Sequence, residues 1–246
     1  MRDKVVIVTG GSKGLGKYMA KDFVENGAKV VITGRNEDSL TAAKKEIAHE
    51  NGEIDTIQMD VSDVSAVKKT VNTVIEKWGR IDVLVNNAAV RKETGIEEID
   101  EEEWNNIVSI NLGGTFFFSQ AVIEQMKSQK WGRIINVSSY GGQAGPLTSG
   151  AHYCASKAGQ FALTKTFARY LADSGITVNT VSPAAIESPE MEKMDSGKLK
   201  VMKRSIPVQR FGKSEEVAKM VSYLASDSTG YITGATFDIN GGLLMR

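Results

Sequence analysis

The sequence predicts an α/β protein, a single doubly wound domain of about seven parallel strands with helices on both faces. Three observations predict it. A glycine followed by a short β-branched run recurs along the chain, each time after an amphipathic stretch. The strands alternate with helices at a spacing that requires right-handed crossovers. No linker or low-complexity tract divides the series, so we expect one domain over residues 1–246.

The recurring glycines place each element in order. A glycine just past a helix end adopts the left-handed conformation at little steric cost, and the apolar run after it is typical of a buried strand. These glycines are Gly27, Gly52, Gly79, Gly132 and Gly175. We therefore expect strands near residues 4–9, 28–33, 54–59, 81–86, 132–138, 175–181 and 234–239. Helices are expected near residues 14–26, 37–50, 64–78, 101–128, 151–173 and 214–226.

One segment lacks this pattern. Residues 183–212 hold three of the four prolines. A long irregular segment in a compact domain is typical of a lid or a binding loop, and we predict a substrate loop here. The apolar residues that would suit the inner face of such a lid, or ordinary packing, are Met191, Met194, Leu199 and Met202.

Composition excludes several classes of function. Thirty lysines and arginines balance thirty aspartates and glutamates, so no net field favours nucleic acid or a membrane surface. The apolar run Val5–Val8 is too short for a signal peptide, and no run approaches the ~20 apolar residues of a membrane span. Cys154 is the only cysteine, and with His49 and His152 it cannot assemble a structural zinc set. We expect no metal and a cytoplasmic location.

A glycine-rich turn follows the first strand. Glycines in such a turn let the backbone approach a pyrophosphate at the positive end of the next helix, which predicts a Rossmann-type dinucleotide site. The residues expected to bind there are Gly10, Ser12, Lys13, Gly14, Leu15 and Gly16. The spacing differs from the commonest G-x-G-x-x-G, and a tight turn without a ligand is the alternative.

The same turn also matches another motif. Residues 10–14 fit G-x-S-x-G, the nucleophile elbow of α/β-hydrolases. That elbow needs a histidine after an acid, and His152 is the only histidine later in the chain. An elbow on the first strand is also unusual for that fold, so we favour the dinucleotide.

The end of the second strand indicates which dinucleotide. An acid there accepts from the ribose 2′-hydroxyl of NAD, whereas a basic group suits the extra phosphate of NADP. Here Arg35 occupies the corner, and Lys13 lies in the glycine turn facing it. Glu37 and Asp38 follow closely, but the helix dipole favours acids in the first turn of a helix. The sequence therefore predicts NADP(H).

Tyr153 and Lys157 are the candidate reacting pair. Residues four apart share a helix face, so the phenol and the ammonium can approach one point. A free tyrosine has a pKa of ~10, and a neighbouring cation lowers that value. The alternative is a tyrosine that packs inside the protein with a lysine extending beside it.

Together these motifs, in fixed order from residue 3 to residue 242, resemble the short-chain dehydrogenase/reductase family. The resemblance rests on Thr9–Gly16, Asp60-Val61, Asn86–Ala89, Asn111, Ser138-Ser139, Tyr153–Lys157 and Ser182-Pro183. It implies hydride transfer between a nicotinamide cofactor and a carbonyl or alcohol.

The resemblance implies a role for each catalytic position. Tyr153 would be the general acid in reduction and the base in oxidation. Lys157 would lower the pKa of Tyr153 and hold the nicotinamide ribose. Ser139 would hydrogen-bond the substrate oxygen as charge develops. Asn111 would hold a water in a proton relay that ends at Lys157.

It also implies further cofactor contacts and shows three departures. The contacts are Asp60 and Val61 at the adenine, Asn86 and Ala88 along the groove, and Pro183, Ile186 and Ser188 near the carboxamide. Ala89 and Ala184 stand where the family usually has glycine. The segment between Ser139 and Tyr153 is one residue longer than usual, so Ser138 remains an alternative catalytic serine.

The substrate is the least determined part of the sequence. The chain looks most similar to 3-oxoacyl-[acyl-carrier-protein] reductases, in Arg210–Gly212, Glu215–Ala218, Leu224–Asp227 and Asp238–Gly242. We expect an NADPH-dependent reductase of 3-oxoacyl thioesters. A sugar, polyol or small-ketone dehydrogenase of the same family is the alternative, and a non-catalytic NADP sensor is an alternative from another class.

Two partners follow from the resemblance. Acyl carrier protein is acidic, and cations near the cleft would receive it, unless they are simply solvated. The candidate cations are Lys130, Arg133, Arg169, Lys193, Lys198, Lys200, Lys203 and Arg204. The family is usually tetrameric, so a homotetramer is expected, with the helices near 101–128 and 151–173 at its interfaces.

Overall fold

The computed structural model describes residues 1–48, 52–145, 148–188, 191 and 194–245. Seven strands form one parallel sheet in the order β3-β2-β1-β4-β5-β6-β7. The strands are β1 (Val5–Thr9), β2 (Lys29–Gly34), β3 (Ile54–Gln58), β4 (Val83–Asn86), β5 (Gly132–Val137), β6 (Ile176–Pro183) and β7 (Thr236–Ile239). The predicted fold class is confirmed, and the strand order reverses between β1 and β4.

Helices connect these strands. They are α1 (Gly14–Glu25), α2 (Glu37–Ile47), α3 (Val64–Trp78), α4 (Glu101–Val108), α5 (Gly114–Gln129), α6 (Gly141–Ala144), α7 (Ala151–Leu171), α8 (Ser196–Ser205) and α9 (Ser214–Leu224). Asn36, Asp63 and Asp100 cap α2, α3 and α4 by accepting from main-chain N–H groups of the first turn. The second helix, predicted to reach residue 50, ends at Ile47 with Ala48 in an extended conformation, and residues 49 and 50 lie outside the described residues.

The sheet is buried on both faces, as a parallel sheet between helices must be. Val6 and Val8 of β1 pack with α1, α2 and α9. Val5 and Ile7, which alternate with them, pack with α3, α5 and α7. Each such side chain contributes roughly 1.5–3 kcal/mol through burial, so the two layers hold the carboxyl ends of the strands rigidly.

One predicted helix is broken in the structure. Instead of a continuous helix over 101–128, a π-helical turn at Ser109–Gly113 joins α4 to α5. The Asn111 amide donates to the Val90 carbonyl at 3.0 Å and accepts from the Val90 N–H at 2.8 Å. These bonds tie the turn to the loop after β4, and hydropathy carries no signal for them.

The helical run Glu101–Gln129 also has, by length and composition alone, the properties of a helix that could cross a membrane. The sequence predicts no membrane span, because no run approaches the ~20 apolar residues that one needs. In the structure 44% of its most apolar 18-residue window is buried, and α5 packs against β4 and β5. Core helices of this kind meet the same criterion, so the finding is weak support for a membrane span.

The irregular segment contains one helix that the sequence did not predict. Within 183–212, α8 begins at an Asp195 cap that accepts from the Lys198 N–H at 2.8 Å. None of the residues of α8 is buried, and Val201 is 68% exposed. Only three of its ten residues are apolar, so its sequence resembles a polar loop more than a core helix.

Two similar sequences end their helices differently. Gly79 ends α3 in the left-handed conformation with φ +71°, as predicted. In the second copy Lys130 takes that conformation with φ +52°, and Gly132 already belongs to β5. A Cβ on Gly132 would lie 2.5 Å from the Met126 sulfur, so this glycine is required for close packing rather than for a turn.

Candidate functional site

A groove of about 650 Å³ crosses the carboxyl ends of β1, β2 and β4. It lies where the strand order reverses, which is the usual ligand site of an open α/β sheet. Its predicted wall residues are Gly10, Ser12, Lys13, Leu15, Gly16, Arg35, Asp60, Val61, Ala88, Tyr153 and Lys157. The structure thus brings most of the predicted cofactor residues to one surface.

The glycine turn gives the groove its floor. Gly10 has φ +64°, and a Cβ there would lie 2.9 Å from the Ala88 Cα. No side chain caps α1 after Lys13, and its first turn holds no acid. The positive end of α1 therefore faces the groove without a protein anion, as a pyrophosphate requires.

Thr9 and Asn87 hold this turn against the loop after β4. The Thr9 hydroxyl accepts from the N–H groups of Asn87 and Ala88, both at 3.0 Å. The Asn87 amide donates to the carbonyls of Thr9 at 2.9 Å and Gly10 at 3.2 Å. Asn87 also lines the groove.

Asn86, in contrast, does not reach the groove. It is 3% exposed, and its amide donates to Ser119 and Asn136 at 2.9 Å. Asn86 ends β4, and successive side chains of a strand point to opposite faces. Because Asn86 and Asn87 point in opposite directions, this alternation could have identified Asn87 as the residue that lines the groove.

We expect Gly16→Ala to destabilise the protein by about 3 kcal/mol, because its Cβ would clash with the Gly10 carbonyl and lie 2.6 Å from the Asn87 amide. Gly14→Ala is the matched control. Gly14 has φ +51° but open space around it, so only the left-handed backbone costs about 1 kcal/mol. Urea unfolding measures both, and equal losses would show that the Gly16 contact does not decide stability.

The far end of the groove is basic. Lys13 and Arg35 line it together, and Arg35 Nη1 lies 3.9 Å from Asp60 Oδ2, with both side chains open to solvent. Glu37 and Asp38 occupy the first turn of α2, as predicted, and do not line the groove. Two cations around the end of β2 fit a phosphate, while Asp60 remains available to the base or sugar.

Tyr153 and Ser139 meet at the other end. The Ser139 side chain lies near the Tyr153 hydroxyl and opposes the burial that raises the pKa of Tyr153. Ser139 Oγ also accepts from the Gly141 N–H at 3.1 Å. Ser138 instead donates to the Lys157 carbonyl at 2.8 Å and is 4% exposed. Of the two serines, Ser139 is therefore the one that faces the phenol.

Lys157 is oriented differently from the expectation. Its ammonium donates to the Val137 carbonyl at 2.7 Å and lies 5.9 Å from the centre of the Tyr153 ring. Burial lowers the pKa of Lys157 to about 7. Burial raises the pKa of Tyr153, opposed by the Ser139 hydrogen bond and the charge of Arg91. The Lys157 ammonium is thus held by a main-chain carbonyl, and Lys157 is not among the groups that shift the pKa of Tyr153 in this structure.

Asn111 lies behind the reacting residues. It is fully buried, and its amide also donates to Ser156 at 3.0 Å. Ser156 in turn donates to the Tyr153 carbonyl at 2.7 Å. Asn111 thus supports the turn of α7 that carries Tyr153, and its main-chain carbonyl faces Gln160 and Thr115.

The predicted carboxamide contacts lie beyond the groove wall. The Pro183 carbonyl accepts from the Tyr140 N–H at 2.9 Å, and Ile186 pairs with Gly212. Ser188 does not line the groove either. The structure therefore places Pro183 at the end of β6 and Ile186 and Ser188 just after it, all within the segment 183–212.

His152 anchors the start of α7. It is fully buried, and its Nδ1 accepts from the Tyr153 N–H at 2.9 Å. The other ring nitrogen, Nε2, therefore carries a proton and donates to Glu103 at 2.8 Å. Hydrogen bonds to Glu103, with the largest effect from Lys92, lower its pKa to about 2. His152 positions Tyr153 from behind and does not line the groove.

The cations predicted to receive an acidic partner are divided between two ends of the sheet. Lys130 and Arg133 adjoin the start of β5, at the end of the sheet opposite the groove. Arg133 is 3% exposed, and its guanidinium donates to two main-chain carbonyls at 2.9 and 3.2 Å. Arg169 lies roughly 24 Å along α7 from Tyr153. The prediction is wrong for these three, because each lies far from the cleft. The described cations that remain are Lys198, Lys200, Lys203 and Arg204 on α8, and Lys193 lies outside the described residues.

A second cavity, of about 550 Å³, lies between α5 and α7 on the outer surface. It is lined mainly by apolar side chains. These are Phe116, Ile123, Leu163, Phe167 and Tyr170, with Gln120, Glu124, Lys127 and Thr166 at polar positions. It holds none of the predicted site residues.

Comparisons with known proteins agree with this architecture. A family model described as "Enoyl-(Acyl carrier protein) reductase" matches residues 10–244. The 3-oxoacyl-[acyl-carrier-protein] reductase FabG of Thermotoga maritima is 38% identical over 245 residues, covering 100% of this chain and 99% of that protein. The enzyme of the same name from Vibrio harveyi is 37% identical with the same coverage. A crystal structure of a short chain dehydrogenase from Bacillus anthracis has a TM-score of 0.90 and 39% identity, covering 99% of this chain and 97% of that one.

Proposed function

This chain belongs to the short-chain dehydrogenase/reductase family and is an oxidoreductase that acts on CH–OH groups with a nicotinamide cofactor, and on that premise we propose that it reduces 3-oxoacyl thioesters with NADPH. The observation that carries the proposal is the position of Tyr153, with Ser139 beside it, at one end of a groove that Tyr153 lines and whose other end is basic. The relatives named as 3-oxoacyl-[acyl-carrier-protein] reductases match this chain over nearly their full length.

The groove residues fit a dinucleotide phosphate, because the glycine turn leaves room for the backbone to approach and α1 presents an uncapped N-terminus. When bound, the nicotinamide supplies the hydride that reduces the carbonyl carbon. Ser139 donates a hydrogen bond to the substrate oxygen as negative charge develops. The Tyr153 hydroxyl then gives that oxygen its proton.

The raised pKa of Tyr153 suits the reductive direction. The phenol is protonated near neutral pH, because its pKa is ordinarily ~10 and burial raises it further, so a proton is available when the substrate carbonyl arrives. Arg91, which lines the same groove, favours the phenolate left behind. Bulk solvent restores the proton after each turnover, so one NADPH and one proton are consumed for each carbonyl reduced to an alcohol.

We assign NADP(H) rather than NAD(H) on the charges near β2. Arg35→Ala is expected to lower kcat/KM for NADPH by about 10–100-fold, the loss of one hydrogen bond to a charged group, with little change for NADH. Lys45→Ala, at an exposed lysine of α2, is the control and should change neither value. An Arg35→Ala enzyme that still prefers NADPH to the wild-type extent would contradict the assignment.

The segment 183–212 is assigned as the substrate lid, with acyl carrier protein as the partner that delivers the thioester. α8 rises from this segment with no buried residue and carries four cations. An acidic carrier would be drawn to such a helix by complementary charge. The same segment adjoins the carboxyl end of β6, next to the Ser139–Tyr153 pair.

We assign a homotetramer and a cytoplasmic location on related grounds. The cavity between α5 and α7 exposes apolar side chains such as Phe116 and Tyr170 on the two helices expected at subunit contacts. Cys154 is a free thiol, in keeping with a reducing compartment. Light scattering of the purified protein measures the subunit number directly.

A substrate panel tests the proposed function. NADPH oxidation is followed with acetoacetyl thioesters beside a 2-enoyl thioester, sugars, polyols and simple ketones, with NADH as the cofactor control. We expect rapid, NADPH-specific reduction of the 3-oxoacyl thioester. Turnover of a sugar or small ketone alone would contradict the assigned substrate class but would leave the assigned catalytic residues unchanged. NADPH binding without turnover on any carbonyl would favour the non-catalytic sensor.

A further inference from the structure

Gln160 is a fully buried polar residue that contacts the reacting groups from behind. It lies on α7 one turn after Lys157. Its Nε2 donates to the Asn111 carbonyl at 2.9 Å and to the Thr115 hydroxyl at 2.8 Å, and its Oε1 accepts from Lys157 Nζ at 3.3 Å. One side-chain amide therefore joins the π-helical turn, α5 and the lysine of the candidate site.

The orientation of this amide follows from its partners. The Asn111 carbonyl can only accept, so the NH₂ group of Gln160 must face it. The oxygen must then face Lys157, whose ammonium can only donate. Reversing the amide would set two acceptors and two donors against each other, so the observed arrangement is the one that satisfies all partners.

We propose that Gln160 is a positioning residue of the reductase, which holds the Lys157 ammonium by its amide oxygen. This inference rests on the proposed function. Lys157 then has two fixed acceptors, the Val137 carbonyl and the Gln160 oxygen.

The surroundings of Lys157 make the amide oxygen significant. Tyr153 is the titratable group nearest to it on α7, and Arg91 and Asp60 face the same groove. Burial alone accounts for the lowered pKa of Lys157, with no charged partner contributing among the described residues. An acceptor such as Gln160 favours the ammonium form, so its loss must lower that pKa further.

The test compares Gln160→Met with wild type, because methionine fills similar volume without hydrogen-bonding groups. Gln129→Met is the matched control. Gln129 also bonds main-chain groups, the Ile81 N–H at 3.1 Å and carbonyl at 2.8 Å, but lies at the opposite end of the sheet. Lys157→Met identifies the lysine signal in a ¹³C-lysine NMR titration of the protein without cofactor.

We expect Gln160→Met to move the Lys157 titration to lower pH by about one unit, the loss of one hydrogen bond to a charged group. The alkaline limb of the kcat/KM profile for NADPH-dependent reduction should move with it. Gln160→Glu, which keeps an oxygen against Lys157 and adds charge, should move the titration upward and serves if the methionine variant fails to fold.

A titration unchanged in Gln160→Met, with a stability loss like that of Gln129→Met, would overturn the proposal and leave Gln160 a structural residue. The NMR titration needs no substrate, so it decides the role of Gln160 even if the proposed function fails. If 3-oxoacyl thioesters prove inactive, a shift in the pH midpoint of the Lys157 titration still supports the role of Gln160, and an unchanged midpoint still contradicts it.

Discussion

Tyr153→Phe is expected to lower kcat for 3-oxoacyl thioester reduction by about 10²–10⁴-fold, the usual contribution of a positioned general acid. The ring is retained, so the helix packing and the groove wall should persist. Only the hydroxyl that lies near Ser139 is removed. NADPH affinity, measured by fluorescence titration, should change little, because the cofactor is held chiefly by the glycine turn and the basic end of the groove.

Tyr223→Phe is the control, since Tyr223 lies on α9 and is 51% exposed. It should retain wild-type kcat. A Tyr153→Phe enzyme that keeps near-wild-type kcat would contradict the assigned proton donor, and a large loss of NADPH affinity would move the role of Tyr153 from proton transfer to binding.

The second large effect concerns Lys157 and pH. Burial lowers the pKa of Lys157 from 10.5 to about 7 in the folded chain. Between these values the unfolded chain binds more protons than the folded one, so this group makes the folded protein more stable as pH rises. From about pH 7 to about pH 9.5, wild type should gain about 3 kcal/mol of unfolding free energy relative to Lys157→Met.

Urea unfolding of the cofactor-free protein at the two pH values measures this difference. The comparison with Lys157→Met removes contributions from other titrating groups, which both proteins share. Lys45→Met, at an exposed lysine, should follow wild type at both pH values. A constant difference between wild type and Lys157→Met would mean that Lys157 titrates near its ordinary value and that its ammonium is solvated.

The fold was predictable because hydrophobic burial acts on local sequence. Apolar runs after the recurring glycines predicted five of the seven strands, since strands inside a parallel sheet are covered on both faces. The π-helical turn was not predictable, because its cause is the bond of Asn111 to Val90 in a distant loop. Nor was α8, whose ten residues include only three apolar ones.

The site was predictable where motif and position coincide, and not where side-chain direction decides. The glycine turn and the Tyr153–Ser139 pair lie where expected. The inward direction of Lys157 depends on the Val137 carbonyl and the Gln160 amide, which only the packed structure brings together. Gln160 did carry a signal, as a polar residue three positions after Lys157 on one helix face.

The most direct test of the central claim follows the hydrogen itself. NADPH deuterated at C4, each diastereomer in turn, is incubated with the enzyme and an acetoacetyl thioester, and the product is analysed by mass spectrometry and NMR. We predict that one diastereomer transfers its deuterium to C3 of a 3-hydroxyacyl thioester and that the other transfers none. NADPH oxidation that leaves no deuterium at C3 with either diastereomer would contradict direct hydride transfer to a 3-oxoacyl substrate.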